Sequence, residues 1–207
     1  MSILIVAATQ FEIKPILEEK ESIEFLITGV GIAPVIFYLT KKIYEKKYDC
    51  IIQAGIAGSF AESFNLGETV MVKEDTFGDV GIEENGKFLT LFETGFLDKN
   101  EFPYTNGWLI NNHSLLQKNG LPVVKGITVN KVIGNDLQNK MNKEKFSADI
   151  ESMEGAAFHY VCLQQKINFL QLRSISNRVG ERDKSKWKIK EAIENLNKEL
   201  IKIIDNL

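Results

Sequence analysis

Four short stretches carry residues whose types and order could do chemistry. Glu151-Ser152-Met153-Glu154-Gly155-Ala156-Ala157 opens a helical pattern with carboxylates, followed by residues of almost no bulk that let a ligand come close. A carboxylate there either compensates the helix dipole, worth about 0.3–1 kcal/mol, or accepts hydrogen bonds from the paired hydroxyls of a sugar. Asn177 ends the run Leu170-Gln171-Leu172-Arg173-Ser174-Ile175-Ser176, where it either caps a turn or faces a ligand. Ala54-Gly55-Ile56-Ala57-Gly58-Ser59-Phe60 follows another apolar run, at the strand end where open α/β sheets collect ligands. Its small residues either let a flat ring lie on the backbone or pack a tight loop. Gly29-Val30-Gly31-Ile32-Ala33-Pro34 half matches a dinucleotide fingerprint, but Pro34 takes the third glycine position and Asp49, the nearest acidic candidate for a ribose, begins the next strand. Those glycines still permit a tight turn and a close backbone approach.

The elements that must position these residues form an α/β pattern. Short β-branched runs alternate with helix-like segments, the signature of strands buried on both faces of a mostly parallel sheet. Strands are expected at 3–8, 23–28, 49–54, 122–129 and 168–175. Helices are expected at 12–20, 33–47 (with Pro34 in the first turn), 153–166 and 184–206, the last with Asp183 as N-cap. Residues 68–76 and 87–92 read as two strands joined by a glycine-rich turn, more antiparallel in character. Residues 93–111 are polar, aromatic and irregular, either a lid over a site or a surface loop. Residues 136–144 are polar and poorly patterned. Ile189, Ile193, Leu196, Leu200, Ile203 and Leu207 form one apolar stripe on the final helix.

Composition narrows the function. The 207 residues, 44% hydrophobic, suit one domain spanning 1–207, and a net charge of −3 argues against a nucleic-acid partner. Cys50 and Cys162 have no metal-ligand spacing, and the opening apolar run is too short for a membrane span and lacks a cleavage site, so the expectation is a cytoplasmic protein with no membrane partner. The chain has 22 Lys but three Arg, and Arg173, Arg178 and Arg182 fall within ten residues of one another.

Glu12 after the first strand, Gly55-Ile56-Ala57-Gly58 after the third, Ser152 to Ala157 on a helix and Ile175-Ser176-Asn177 after the next strand together resemble the nucleoside phosphorylase and nucleosidase superfamily. The order and rough spacing match along essentially the whole chain. Thr76-Phe77-Gly78-Asp79-Val80-Gly81, Gly126 to Asn130, Glu151 to Ala157 and Ser176 to Ser185 are most similar to the futalosine hydrolases of menaquinone biosynthesis. The methylthioadenosine/S-adenosylhomocysteine nucleosidases are the second resemblance. This likeness implies a three-layer α/β/α sandwich with a mixed, partly barrel-like central sheet, and neither metal nor cofactor.

It also implies roles. Glu12 would orient or deprotonate the attacking water. Glu154 would accept from the ribose hydroxyls with Met153 packed against the sugar, and Ala57 and Gly58 would lie against the substrate. Asn177, where adenine-specific relatives carry Asp, would read a 6-oxopurine, so hypoxanthine is the expected leaving group. Phosphorylases hold phosphate with arginines in the N-terminal half, and this chain has none before residue 173. Water is therefore the expected nucleophile. For the carboxylated 5′ extension of futalosine, Arg178 or Arg182 would meet the carboxylate, with Phe77, Phe92, Phe96 and Trp108 as aromatic lining. Phe158 and His159 are left as packing and surface residues. A homo-oligomer is expected. The alternatives are a methylthioadenosine/S-adenosylhomocysteine nucleosidase, a purine nucleoside phosphorylase, or a non-catalytic nucleoside-binding protein.

Overall fold

A computed structural model of the chain describes residues 1–19, 23–134 and 136–207. Lys20, the end of the helix expected over 12–20, lies outside the described residues. In chain order the elements are β1 (Ile3–Ala7), a 3-10 turn (Gln10–Ile13), α1 (Lys14–Glu19), β2 (Glu24–Ile27), α2 (Ile32–Glu45), β3 (Cys50–Ser59), β4 (Thr69–Phe77), β5 (Gly81–Glu84) and β6 (Lys87–Thr90). There follow β7 (Leu109–Ile110), β8 (Val123–Thr128), α3 (Asp136–Phe146), β9 (Ile150–Ser152), α4 (Gly155–Gln164), β10 (Phe169–Arg178) and α5 (Ile189–Asp205).

The main sheet runs β10-β4-β8-β9-β3-β1-β2, with β7 paired to β4. Because β10 also pairs with β3, the strands β3, β10, β4, β8 and β9 close into a ring, and β1 and β2 extend from it. Parallel pairs (β1–β2, β1–β3, β3–β10, β4–β8, β8–β9) mix with antiparallel ones (β4–β10, β3–β9, β4–β7). This is the mixed, partly barrel-like sheet that the family resemblance implies.

Side-chain alternation explains the layers. Ile5 and Ala7 of β1, Cys50, Ile52 and Ala54 of β3, and Leu170 and Leu172 of β10 pack with Leu196, Leu200 and Ile203 of α5. Leu4 and Val6, Ile51 and Phe169 point the other way, onto Val35 and Leu39 of α2 and Ala157, Phe158 and Cys162 of α4. With both faces covered, these strands carry continuous apolar runs rather than alternating ones. A third cluster, including Val70, Val72, Val124, Ile150 and Ile175, fills part of the ring.

The structure corrects several expectations. The two strands of the middle segment do not pair: β6 forms a separate hairpin with β5, which lies inside the supposed glycine-rich turn, while β4 joins the main sheet. Residues 136–146 are helical despite a weak apolar pattern. Asp183 caps a 3-10 turn at Lys184–Lys186, accepting from the Ser185 amide at 3.0 Å, and α5 starts later, at Ile189. His159 is fully buried rather than on the surface, with Nδ1 3.0 Å from the Leu109 carbonyl, and burial first of all pushes its imidazole down to about 4. Among the described residues no helix is long and apolar enough to cross a membrane.

Candidate active site

A cleft of about 380 Å3 opens where β1, β3, β9 and β10 end, within the size range of small-molecule sites. Its lining includes Glu12, Ala57, Gly58, Met153, Glu154 and Asn177, so six of the seven site residues expected from sequence come together.

Glu12 reaches the cleft because β1 ends in the 3-10 turn. Its Oε2 accepts from the Thr9 amide and hydroxyl, both at 3.0 Å, and Oε1 accepts from the Ile56 amide at 3.1 Å. Its own backbone is pinned from the far end of the chain, since Asn197 Nδ2 of α5 donates to the Glu12 carbonyl at 2.8 Å while Asn197 Oδ1 accepts from the Ile16 amide. Burial raises the Glu12 carboxyl above its ordinary range, against the opposing pull of the Arg173 charge and the Ile56 amide. A carboxyl held that way is closer to the proton affinity a base needs near neutrality.

Glu154 sits at the N-terminus of α4. Oε1 accepts from the Gly31 amide at 3.2 Å and Oε2 from Arg173 Nη1 at 3.4 Å. The half-matched dinucleotide loop thus makes its close backbone approach to a carboxylate, with Gly29 and Gly31 at φ of 90° and 101°.

Arg173 is the residue sequence reasoning missed. It is 1% exposed, lies behind both carboxylates, and donates from Nη2 to Gln53 Oε1 at 3.0 Å. Gly55 has to be glycine beside it, because a Cβ there would collide with Arg173 Nη1 and come within 3.0 Å of Glu12 Oε1. The signal was available: an Arg at the centre of an apolar strand run is not a surface residue, and a buried guanidinium needs a carboxylate partner.

Below this layer Asp75 accepts from Thr128 Oγ1 at 3.0 Å and Gln171 Nε2 at 3.2 Å, fully buried, and burial pushes its carboxyl up to about 7. Gly155 lets α4 settle on this pair, since a Cβ would overlap Asp75 Oδ2 and Gln171 Nε2.

Asn177 is held by neighbours: its Oδ1 accepts from the Ser176 hydroxyl at 2.7 Å and its Nδ2 donates to the Arg178 carbonyl at 2.8 Å. One amide N–H remains for a ligand acceptor. Arg178, by contrast, turns its guanidinium onto the carbonyls of Ala61 and Phe64, at 2.6 and 2.7 Å, and is not among the cleft's lining residues. Its strand-end position points its long side chain back over the loop after β3, so it clamps that loop and is withdrawn as a substrate contact. Arg182 does line the cleft. Phe77, Phe92, Phe96 and Trp108 do not; the aromatic lining comes from Phe11 and Trp187, with Val30, Val132 and Ile189 beside them. Among the described residues no cluster of His, Cys, Asp or Glu could hold a metal ion.

A ring-closed mixed sheet with a cleft at its strand ends, bordered by a 3-10 turn and a helix N-terminus, is the nucleoside phosphorylase-like fold. The chain belongs to the phosphorylase superfamily, whose family model matches residues 25–207. The futalosine hydrolase of Thermus thermophilus is 30% identical over 177 residues, covering 83% of this chain and 76% of that protein. The 5′-methylthioadenosine/S-adenosylhomocysteine nucleosidase of Shewanella oneidensis is 26% identical over 165 residues, covering 76% and 68% respectively. Among solved structures, the futalosine hydrolase of Helicobacter pylori aligns with a TM-score of 0.82 at 17% identity, over 99% of this chain and 97% of that one. The corresponding nucleosidase of Neisseria meningitidis, bound to methylthio-immucillin-A, gives 0.81 at 18% identity over 99% of each chain.

Proposed function

We propose that this protein is a hydrolase of purine nucleosides and that its substrate is futalosine, cleaved to hypoxanthine and dehypoxanthine futalosine in menaquinone biosynthesis. The observation that carries the hydrolytic reading is the charge of the cleft. Its described lining holds four carboxylates, Glu12, Glu151, Glu154 and Glu181, and one cation, Arg182. Arg173, just behind, is engaged by Glu154 and Gln53. Such a site repels a phosphate dianion and favours the cationic sugar that develops as a glycosidic bond breaks.

In this mechanism Glu12 takes a proton from the water attacking the anomeric carbon. Glu154 accepts from the ribose hydroxyls and, by its charge, stabilises the oxocarbenium-like transition state while Met153 packs on the sugar. Ala57 and Gly58 give the substrate a surface of little bulk. Asn177 offers its one free N–H to the purine edge that gains electron density as the bond breaks, which suits N7 or O6 of hypoxanthine. No cofactor takes part. Arg182 supplies a cation for the carboxylate of the 5′ extension. Support for futalosine comes from the Thermus relative and from Asn177; support for the second reading, methylthioadenosine, comes from the Shewanella relative.

We also propose a homo-oligomer in the cytoplasm. Phe11 and Val30 at the cleft rim are 63% and 53% exposed, and Phe37 and Tyr38 on α2 are 62% and 46% exposed, more apolar surface than a monomer's rim requires. Light scattering should give a mass at least twice that of one chain.

The deciding assay incubates the purified protein with futalosine, inosine and methylthioadenosine, each with and without phosphate. Phosphate-independent release of hypoxanthine from futalosine is expected. Dependence on phosphate overturns hydrolysis, and preference for methylthioadenosine overturns the substrate.

A further inference from the structure

Beyond adding to the charge of the cleft it lines, Glu151 has no contact with the substrate in the proposed mechanism. It is 6% exposed, and no hydrogen bond reaches its carboxylate from the described residues. Every other buried carboxylate of the site is satisfied: Glu12 by Thr9 and Ile56, Glu154 by Gly31 and Arg173, Asp75 by Thr128 and Gln171. The Glu151 carboxylate therefore faces the cleft, where its donor must be water or a ligand.

Strand register fixes where that ligand atom must be. Gly58 of β3 is paired on one side with Glu151 of β9 and on the other with Asn177 of β10. A bulge between Ile175 and Asn177 interrupts the β3–β10 register here, yet the Asn177 side chain stays on the Gly58 side, so Glu151 and Asn177 flank Gly58 with backbones about 10 Å apart, two interstrand spacings. Between them Val179 closes over the glycine: a Cβ on Gly58 would come within 3.0 Å of Val179 Cγ2 and 3.4 Å of Asn177 Nδ2. The result is an apolar floor with an amide on one flank and a carboxylate on the other, a shape for a flat heteroaromatic ring that carries polar groups on two edges. Burial first, and the charge of Asp79 second, push the Glu151 carboxyl up to about 7. Asp79 is itself occupied with the Asn130 and Lys131 amides.

We infer that Glu151 is a specificity-determining residue that reads the purine edge turned away from Asn177, its carboxylate accepting the ring N1–H that a 6-oxopurine carries and a 6-aminopurine lacks. The inference rests on the proposed nucleosidase reading and deepens it. It gives the cleft a second base contact, so the choice between oxo and amino purines does not fall on Asn177 alone.

The test measures kcat/KM for inosine and adenosine, which share one sugar, in the wild type, Glu151→Gln and Glu151→Ala. In Glu151→Gln the inosine/adenosine ratio should fall at least about tenfold, because an amide can also donate to the unprotonated N1 of adenine. In Glu151→Ala, kcat/KM for inosine should fall by about tenfold or more, with adenosine little changed. A merely structural role would lower both substrates together and leave the ratio intact. A wild type that prefers inosine with an unchanged ratio in both variants overturns the role of Glu151. A wild type that prefers adenosine while the ratio still falls in Glu151→Gln overturns the 6-oxopurine substrate and retains Glu151 as a base reader.

Discussion

The two faces of the central sheet are built from the same strands and do different work. Toward α5, the alternate residues Cys50, Ile52, Ala54, Leu170 and Leu172 are apolar throughout. Toward α4, Ile51 and Phe169 are apolar, but the next residues facing that side are Gln53, Gly55, Gln171 and Arg173, every one of the three side-chain-bearing residues at or below 1% exposed. One face is a core from end to end; the other changes along the strands from core to a buried polar layer beneath the cleft. Substitutions on the first should therefore cost stability alone, and on the second, stability and activity together.

Four changes sharpen or break that division, from the largest effect downward. Glu12→Gln should leave the fold intact and lower kcat about 10²–10⁴-fold, the usual worth of a positioned base. Single-turnover assays check it, and a kcat within a few-fold of wild type would remove Glu12 from the mechanism. Arg173→Met leaves Glu154 buried with its charge uncompensated, a loss of about 3–5 kcal/mol, and substrate affinity should fall with it. Urea unfolding alongside KM measurements reads both; a stable variant with normal KM would mean the polar layer does not support the cleft. Leu200→Ala, on the opposite face, should destabilise by about 2–5 kcal/mol while the folded fraction keeps its kcat. A selective loss of kcat there would breach the division between the faces.

The smallest effect is pH-dependent. The Asp75 carboxyl titrates at about 7 in the folded protein against 3.8 ordinarily, so between those values the folded chain holds a proton the unfolded chain has released. Its contribution to stability consequently declines as pH rises from about 4 to about 7. Asp75→Asn removes that decline, and unfolding curves at about pH 5 and about pH 8 should show a flatter dependence than wild type. Parallel curves for the two proteins would show that Asp75 does not titrate in this window.

The apolar face was legible in advance because periodicity reports burial directly: the α5 stripe through Ile193, Leu196, Leu200 and Ile203 is buried as its spacing implied. The cleft was legible through the order of its motifs, which brought Glu12, Gly58, Glu154 and Asn177 to one end of the sheet. The buried polar layer was not. Gln53, Gln171 and Arg173 look like solvent-seeking residues until their partners are known, and those partners lie 19 to 120 positions away. The arginine cluster misled for the same reason. Adjacent in sequence but on a strand and the loop beyond it, its members take three directions: Arg173 into the core, Arg178 onto the loop carbonyls, Arg182 to the cleft. The helix at 136–146 escaped altogether because polar residues carry little periodic signal.

The hydrogen bond from Asn197 to the Glu12 carbonyl spans 185 positions. A ribosome delivers residue 197 many seconds after residue 12, since elongation adds about 5–20 residues per second. Until α5 docks, the backbone of the turn that carries Glu12 lacks this anchor, and Thr9 and Ile56 alone hold the carboxylate. The nascent chain can pair its earlier strands before that turn is fixed, so the Glu12 wall of the cleft is completed only when the helix at Ile189–Asp205 packs against it.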